Sequence, residues 1–106
     1  MSKQRQRHIP AAERRAEVLA AAIALAERKG YTHLIRDEIA TEAKCSTGLV
    51  TQYFGTLECL KRAVVSHAVH AENLIIIAQA LAARHPKAQR APEELRRRAA
   101  LHSAGC

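Results

Sequence analysis

Residues 36–60, RDEIATEAKCSTGLVTQYFGTLECL, decide the fold. From Asp37 to Ala43 the residues Ile39, Ala40 and Ala43 share one side of a helix. The opening acids suit a helix N-terminus, where the backbone dipole is positive. Lys44 and Cys45 interrupt the pattern. Ser46 then predicts the N-cap of a second short helix, Thr47 to Phe54, because its hydroxyl can accept an otherwise unpaired backbone N–H. Gly55 ends that helix, and Thr56 can cap the next, which begins Leu57-Glu58-Cys59-Leu60. Two short helices joined by a tight turn are the outline of a helix-turn-helix. Ala40 and Ala43 are small where two helices must cross closely, and Val50 is apolar where it would lock the second helix against the first. Gly48 and Gln52 point away from Val50, with Leu49 and Thr51 beside them. Such a face offers small groups, a hydroxyl and an amide that can pair bidentately with adenine, as a helix entering a major groove requires.

Working outward, residues 1–9 read as a polar, basic, flexible arm without apolar period. Pro10 suits the start of a helix. From Ala11 to Lys29 an apolar stripe of Val18, Leu19, Ala22, Ile23 and Ala26 predicts a long helix, with Gly30 as its C-terminal cap. Beyond Thr56 no breaker occurs before Pro86, so Leu57 to Arg84 is one helix or two, with a break possible around His70 to Asn73. His85 to Ala91 reads as a loop. Pro92-Glu93-Glu94 opens a last helix running to about Ser103.

Composition agrees with an all-α fold. The 106 residues are 48% hydrophobic but only 3% aromatic, which disfavours a sheet sandwich. The apolar runs, Val18 to Ala26 and Leu74-Ile75-Ile76-Ile77-Ala78, are far short of the ~20 residues that span a membrane. With no hydrophobic signal region, a cytoplasmic location is expected. The net charge of +7 is uneven. Residues 1–15 carry five basic and one acidic side chain, residues 84–98 six and two, and the stretch between them six and seven. Basic ends on a near-neutral body point to a polyanion partner; the alternative is basic termini that only keep the chain soluble. Cys45, Cys59 and Cys106 form no Cys-x-x-Cys pair and read as reduced, with Cys45 and Cys59 as packing residues.

The stretch AERKGYTHLIRDEIATEAKCSTGLVTQYFGTLECLKRAVV, residues 26–65, resembles the N-terminal DNA-binding domain of the TetR family of transcriptional repressors. The shared features are the AERKGY end of the first helix, Ile39-Ala40 with Ala43, and Ser46-Thr47-Gly48 opening a recognition helix. They continue in the Tyr53-Phe54 pair and in a capping hydroxyl followed by Glu58 and Leu60. The resemblance implies a three-helix DNA-binding domain over residues 10–66 and short helices for dimerisation over residues 67–106. It implies that Ser46 and Thr47 touch phosphate or cap the recognition helix, and that Gly48, Leu49 and Gln52 face base edges with Thr51 beside them. Tyr53 would give its hydroxyl to a phosphate, and the helix capped by Thr56 would aim N–H groups at another, with Lys61 adding a charge. Where the family usually has a capping Thr this chain has Ile35, so Arg36 is the expected substitute. Lys44 stands where Gly is common; if left-handed, it costs about 1 kcal/mol. Thr51 replaces a frequent aromatic, and Leu57 a frequent lysine.

Family members usually continue into a much longer helical domain that binds a small molecule and makes the dimer. Too few residues follow Val65 here for a separate ligand pocket of roughly several hundred Å³, so no cofactor and no small-molecule induction are expected. A dimer on a palindrome is still expected, because one short recognition helix confers little affinity. Leu74, Ile75, Ile76, Ile77 and Leu81 are apolar around most of a helix and are taken as the interface, in preference to an internal core. The last helix, with Leu95, Ala99 and Leu101, would embrace the partner.

His67 and His70, three apart, suggest a metal site with Glu58 or Glu72 only weakly, and ordinary surface histidines are the simpler reading. No nucleophile elbow or phosphate loop occurs, so catalysis is not expected. Arg96-Arg97-Arg98 reads as a solvated helix face, whereas the arm Lys3-Gln4-Arg5-Gln6-Arg7 is better placed to follow DNA or enter a minor groove. The sequence therefore points to a repressor that binds double-stranded operator DNA as a homodimer, of a size that suits a plasmid or phage. The alternative is an interaction module that binds a second regulator protein through its apolar C-terminal helix.

Overall fold

The helical periodicities become seven α-helices in the computed structural model, which describes residues 10–104. The basic arm and Cys106 lie outside the described residues. Helix α1 spans Ala11–Lys29 and buries Val18, Ala21, Ala22, Leu25 and Ala26. Gly30, at φ 96°, turns the chain out of it, and the Gly30 N–H closes on the Ala26 carbonyl. A single 3-10 turn, Tyr31–His33, leads into α2, Arg36–Ala43.

Helix α2 ends where Lys44 takes the left-handed conformation, φ 60° and ψ 48°. The Cys45 N–H reaches back to the Ala40 carbonyl at 2.9 Å and the Lys44 N–H to Thr41 at 3.2 Å. These paired bonds are a Schellman motif, which satisfies carbonyls that the helix end leaves over. Ser46 then caps α3, Thr47–Phe54, and Thr56 caps α4, Leu57–Ala71.

Two further Schellman turns carry the chain onward. At Glu72 (φ 57°) the Asn73 N–H bonds to Ala68, and at Arg84 (φ 59°) the His85 N–H bonds to Ala80. The long apolar stretch is therefore two helices, α4 and α5, the latter Leu74–Ala82 with Asn73 as its N-cap. The segment expected as a loop contains a short helix, α6, Pro86–Gln89, because Pro86 pre-sets the first turn and His85 caps it. The last helix, α7, spans Glu93–Ala104.

One cluster of buried side chains joins all seven helices. Val18 of α1, Ile39 of α2, Val50 of α3, Leu60 and Val64 of α4, and Ile76 and Ile77 of α5 are almost wholly buried in it. Each such side chain contributes roughly 2 kcal/mol by leaving water. Ala88, Leu95 and Ala99 close the cluster from α6 and α7. Helix α4 runs unbroken through residues 66 and 67, so it belongs equally to the N-terminal helices and to those that follow.

The expected dimer interface is corrected in part. Ile76 and Ile77 are 0% exposed within the single chain, because α1, α4 and α7 pack around α5 and take up most of its apolar surface. Ile75 remains 40% exposed, and Leu74 and Leu81 are half-buried. Cys45 packs partly against the core, whereas Cys59, expected as a packing residue, is exposed on the first turn of α4. Among the described residues no helix is long and apolar enough to cross a membrane.

Candidate nucleic-acid interface

Helix α3 presents an outer face because its inner face is anchored. Val50 is 1% exposed and Phe54 7%, four residues apart on the same side. On the opposite side Thr47, Gly48, Thr51 and Gln52 are exposed. No residue of α3 is charged. Packing does not require the glycine at position 48: an added Cβ would meet only the Ser46 hydroxyl, at 3.8 Å. What Gly48 does is keep the outer face low, so that another backbone can come close.

The starts of α3 and α4 are fixed by side-chain caps. The Ser46 hydroxyl accepts the Leu49 N–H at 3.1 Å, and the Thr56 hydroxyl accepts the Cys59 N–H at 3.1 Å at the start of α4. Leu49 and Tyr53 are half-buried flanks of the exposed strip. Tyr53 also packs on the core, which limits where its ring can turn.

Cations border this strip. Lys44 is exposed in the α2–α3 turn, held there by the left-handed backbone. Arg36 donates to the Gly55 carbonyl at 3.5 Å, which brings the start of α2 beside the connection between α3 and α4. Ile35, the N-cap residue of α2, makes no side-chain cap and is 47% exposed. Arg36 does not replace that cap; its guanidinium reaches the far side of the next helix instead. Lys61 reaches the Thr32 carbonyl at 3.2 Å, which ties the 3-10 turn to α4 and draws the ammonium toward the protein.

Two acids of α2 are held away from this surface. Lys29 pairs with Glu38 and Arg28 with Glu42, the latter at 3.4 Å, so the acids of α2 are held against the end of α1. Asp37, Glu38 and Glu42 line a separate shallow cavity with Leu25 and Thr41. The structure thus gathers Lys44, Ser46, Thr47, Gly48, Leu49, Thr51, Gln52 and Tyr53 along one turn and helix, with Arg36 and Thr56 at its end. Lys61 sits one turn further along α4 and is turned inward.

The sequence reading gave no sign of Arg15, whose guanidinium lies 4.4 Å from the centre of the Phe54 ring and pins the end of α3 to α1. No periodicity connects residues so far apart. The Arg96-Arg97-Arg98 run is also bound to its own fold: Arg96 donates to the Ala91 carbonyl, Arg97 pairs with Glu93, and Arg98 pairs with Glu72 at 3.2 Å. His67 and His70 do not assemble a metal site, and no group of three or more His, Cys, Asp or Glu converges to hold a metal ion among the described residues. Comparison with known proteins finds no matching family model, no matching curated protein and no matching solved structure.

Proposed function

We propose that this chain is a sequence-specific DNA-binding repressor of the TetR-like kind, with α2, the Lys44–Ser46 turn and α3 as a helix-turn-helix. The observation that supports this best is the outer face of α3. It is rigidly backed by Val50 and Phe54, uncharged, small, and flanked by Lys44 and Arg36. In a major groove Gln52 would read a base edge, Gly48 would allow the close approach, and Ser46, Thr47, Tyr53 and the N-terminus of α4 would hold phosphates. A homodimer would supply two such helices to a palindrome. Its contact would run through what α5 and α7 leave uncovered, above all Ile75 and Leu101, the latter 66% exposed.

Those same exposed residues favour the second reading, in which the apolar surface docks on another regulator protein. The two readings part at Gln52, which only the first one uses. In a gel-shift assay on a selected site, Gln52→Ala should lose about 1–3 kcal/mol of discrimination at particular base pairs, while Lys44→Gln should weaken all sequences alike and flatten the salt dependence. Unchanged binding in both variants would leave the α3 docking mode without support.

A further inference from the structure

A cleft of about 410 Å³ opens between α1, α4 and α6, away from the exposed strip of α3. Arg15, Arg62 and Lys87 converge on it from three helices, and Leu19 and Ala63 supply an apolar floor. Among the described residues that line it, none is acidic. Some cations elsewhere are neutralised locally, as Arg28 is by Glu42 and Arg98 by Glu72. By contrast, Arg15, Arg62 and Lys87 have no carboxylate within ion-pairing distance among the described residues.

Three cations brought together without a counter-ion repel one another, and the neighbouring groups register that field. His85 has its pKa lowered by burial first, and then by Lys87 and Arg62. The exposed Cys59 thiol is pulled down mainly by its hydrogen bond with Thr56, with Arg62 adding to the effect. Arg15 spends only the face of its guanidinium on Phe54. Its N–H donors lie in the plane of the group and remain suited to a bidentate oxyanion.

We propose that this cleft is a binding site for a small organic phosphate, its head held by Arg15, Arg62 and Lys87 and its apolar body resting on Leu19 and Ala63. Three fixed positive charges suit a dianion better than a carboxylate, and charge-assisted bonds to Arg are the strong ones available to it. The volume falls within the usual range for small-molecule sites and exceeds what a bare inorganic ion would fill. This inference does not rest on the DNA-binding reading, because the site is occupied or empty in the free protein.

The test is titration of phenyl phosphate into the full chain at physiological salt, followed by ¹⁵N–¹H NMR. Saturable shifts are expected at the amides of Arg15 to Leu19, Arg62 to Ser66 and Lys87. Arg62→Gln and Lys87→Gln should each weaken binding roughly tenfold, and both positions are exposed, so the fold is not at stake. Arg97→Gln, on α7, should leave binding unchanged. Benzyl alcohol, which keeps the ring and lacks the phosphate, should not produce the pattern. Shifts that rise without saturating, or that fall equally on the arginines of α7, would overturn the proposal.

Discussion

Lys44, Glu72 and Arg84 share a conformation that side chains usually avoid. All three sit at positive φ, 60°, 57° and 59°, each just past the end of a helix. Glycine is the usual occupant, because a Cβ there crowds the following carbonyl. The motif persists because each turn makes two backbone bonds that the helix end would otherwise lack. Arg84 is the cleanest place to measure the strain, being exposed and free of the ion pair that Glu72 makes with Arg98. Arg84→Gly should raise the unfolding free energy by about 1 kcal/mol in urea denaturation. A loss of stability would mean that the turn is not strained. Glu72 and Arg84 also mark where the sequence was silent. Gly30 and Gly55 announced two helix ends and the resemblance flagged Lys44, whereas a charged residue at positions 72 and 84 carries no such signal, so Leu57 to Arg84 could be read as one helix or two.

At the level of elements, α5 is fastened to α1 by Gln79. Its side-chain oxygen accepts the Tyr31 N–H, and its side-chain nitrogen donates to the Ala26 carbonyl, both at 2.9 Å. One amide thus satisfies the end of α1 and the start of the 3-10 turn together. Gln79→Leu should cost about 1–3 kcal/mol, because it takes the partner from the Tyr31 N–H and leaves the Ala26 carbonyl with the Gly30 N–H alone; urea midpoints would show it. Helix α6 depends on His85, whose Nδ1 accepts the Lys87 N–H at 3.2 Å and whose ring stands edge-on to Tyr31. Protonation would turn that acceptor into a donor. Burial, then Lys87 and Arg62, hold the folded pKa below the ordinary value of 6.5. As pH falls through 6.5 the unfolded chain therefore binds a proton before the folded one. Stability should be full above that pH and decline below it until the folded pKa is passed. His85→Asn, which keeps a capping oxygen, should remove this part of the pH dependence. The expected loop over 85–91 and the expected interface over α5 both depended on partners beyond local pattern. A four-residue helix has too little length to show a period, and an all-apolar helix reads alike whether its cover is another subunit or its own neighbours.

Across the whole molecule, one core links the α3 face to the C-terminal helices, so the proposed reading head and the proposed pairing surface belong to a single packed body. The helices and their caps were legible because Ser46, Thr56 and Gly55 act locally. The packing of Arg15 on Phe54, the Gln79 clasp and the basic cleft were not, because each joins residues that only the fold brings together. The difference between Ile75 and its neighbours offers a direct test of pairing. Ile75→Lys should convert a dimer to a monomer in sedimentation while leaving the helical spectrum intact, because that side chain is 40% exposed. Ile76→Lys should instead unfold the chain, since it would put an unpaired charge in the core. A chain that sediments as a monomer before any substitution would remove the homodimer from the account.

The most direct measurement is selection of bound DNA from a random duplex pool at physiological salt, with the mass of the winning complex determined. A repressor reading through α3 should yield a palindromic site bound by two chains, or by four if dimers pair further. No enrichment, with binding that vanishes as salt rises, would contradict sequence-specific recognition and leave only the attraction of a polycation for DNA.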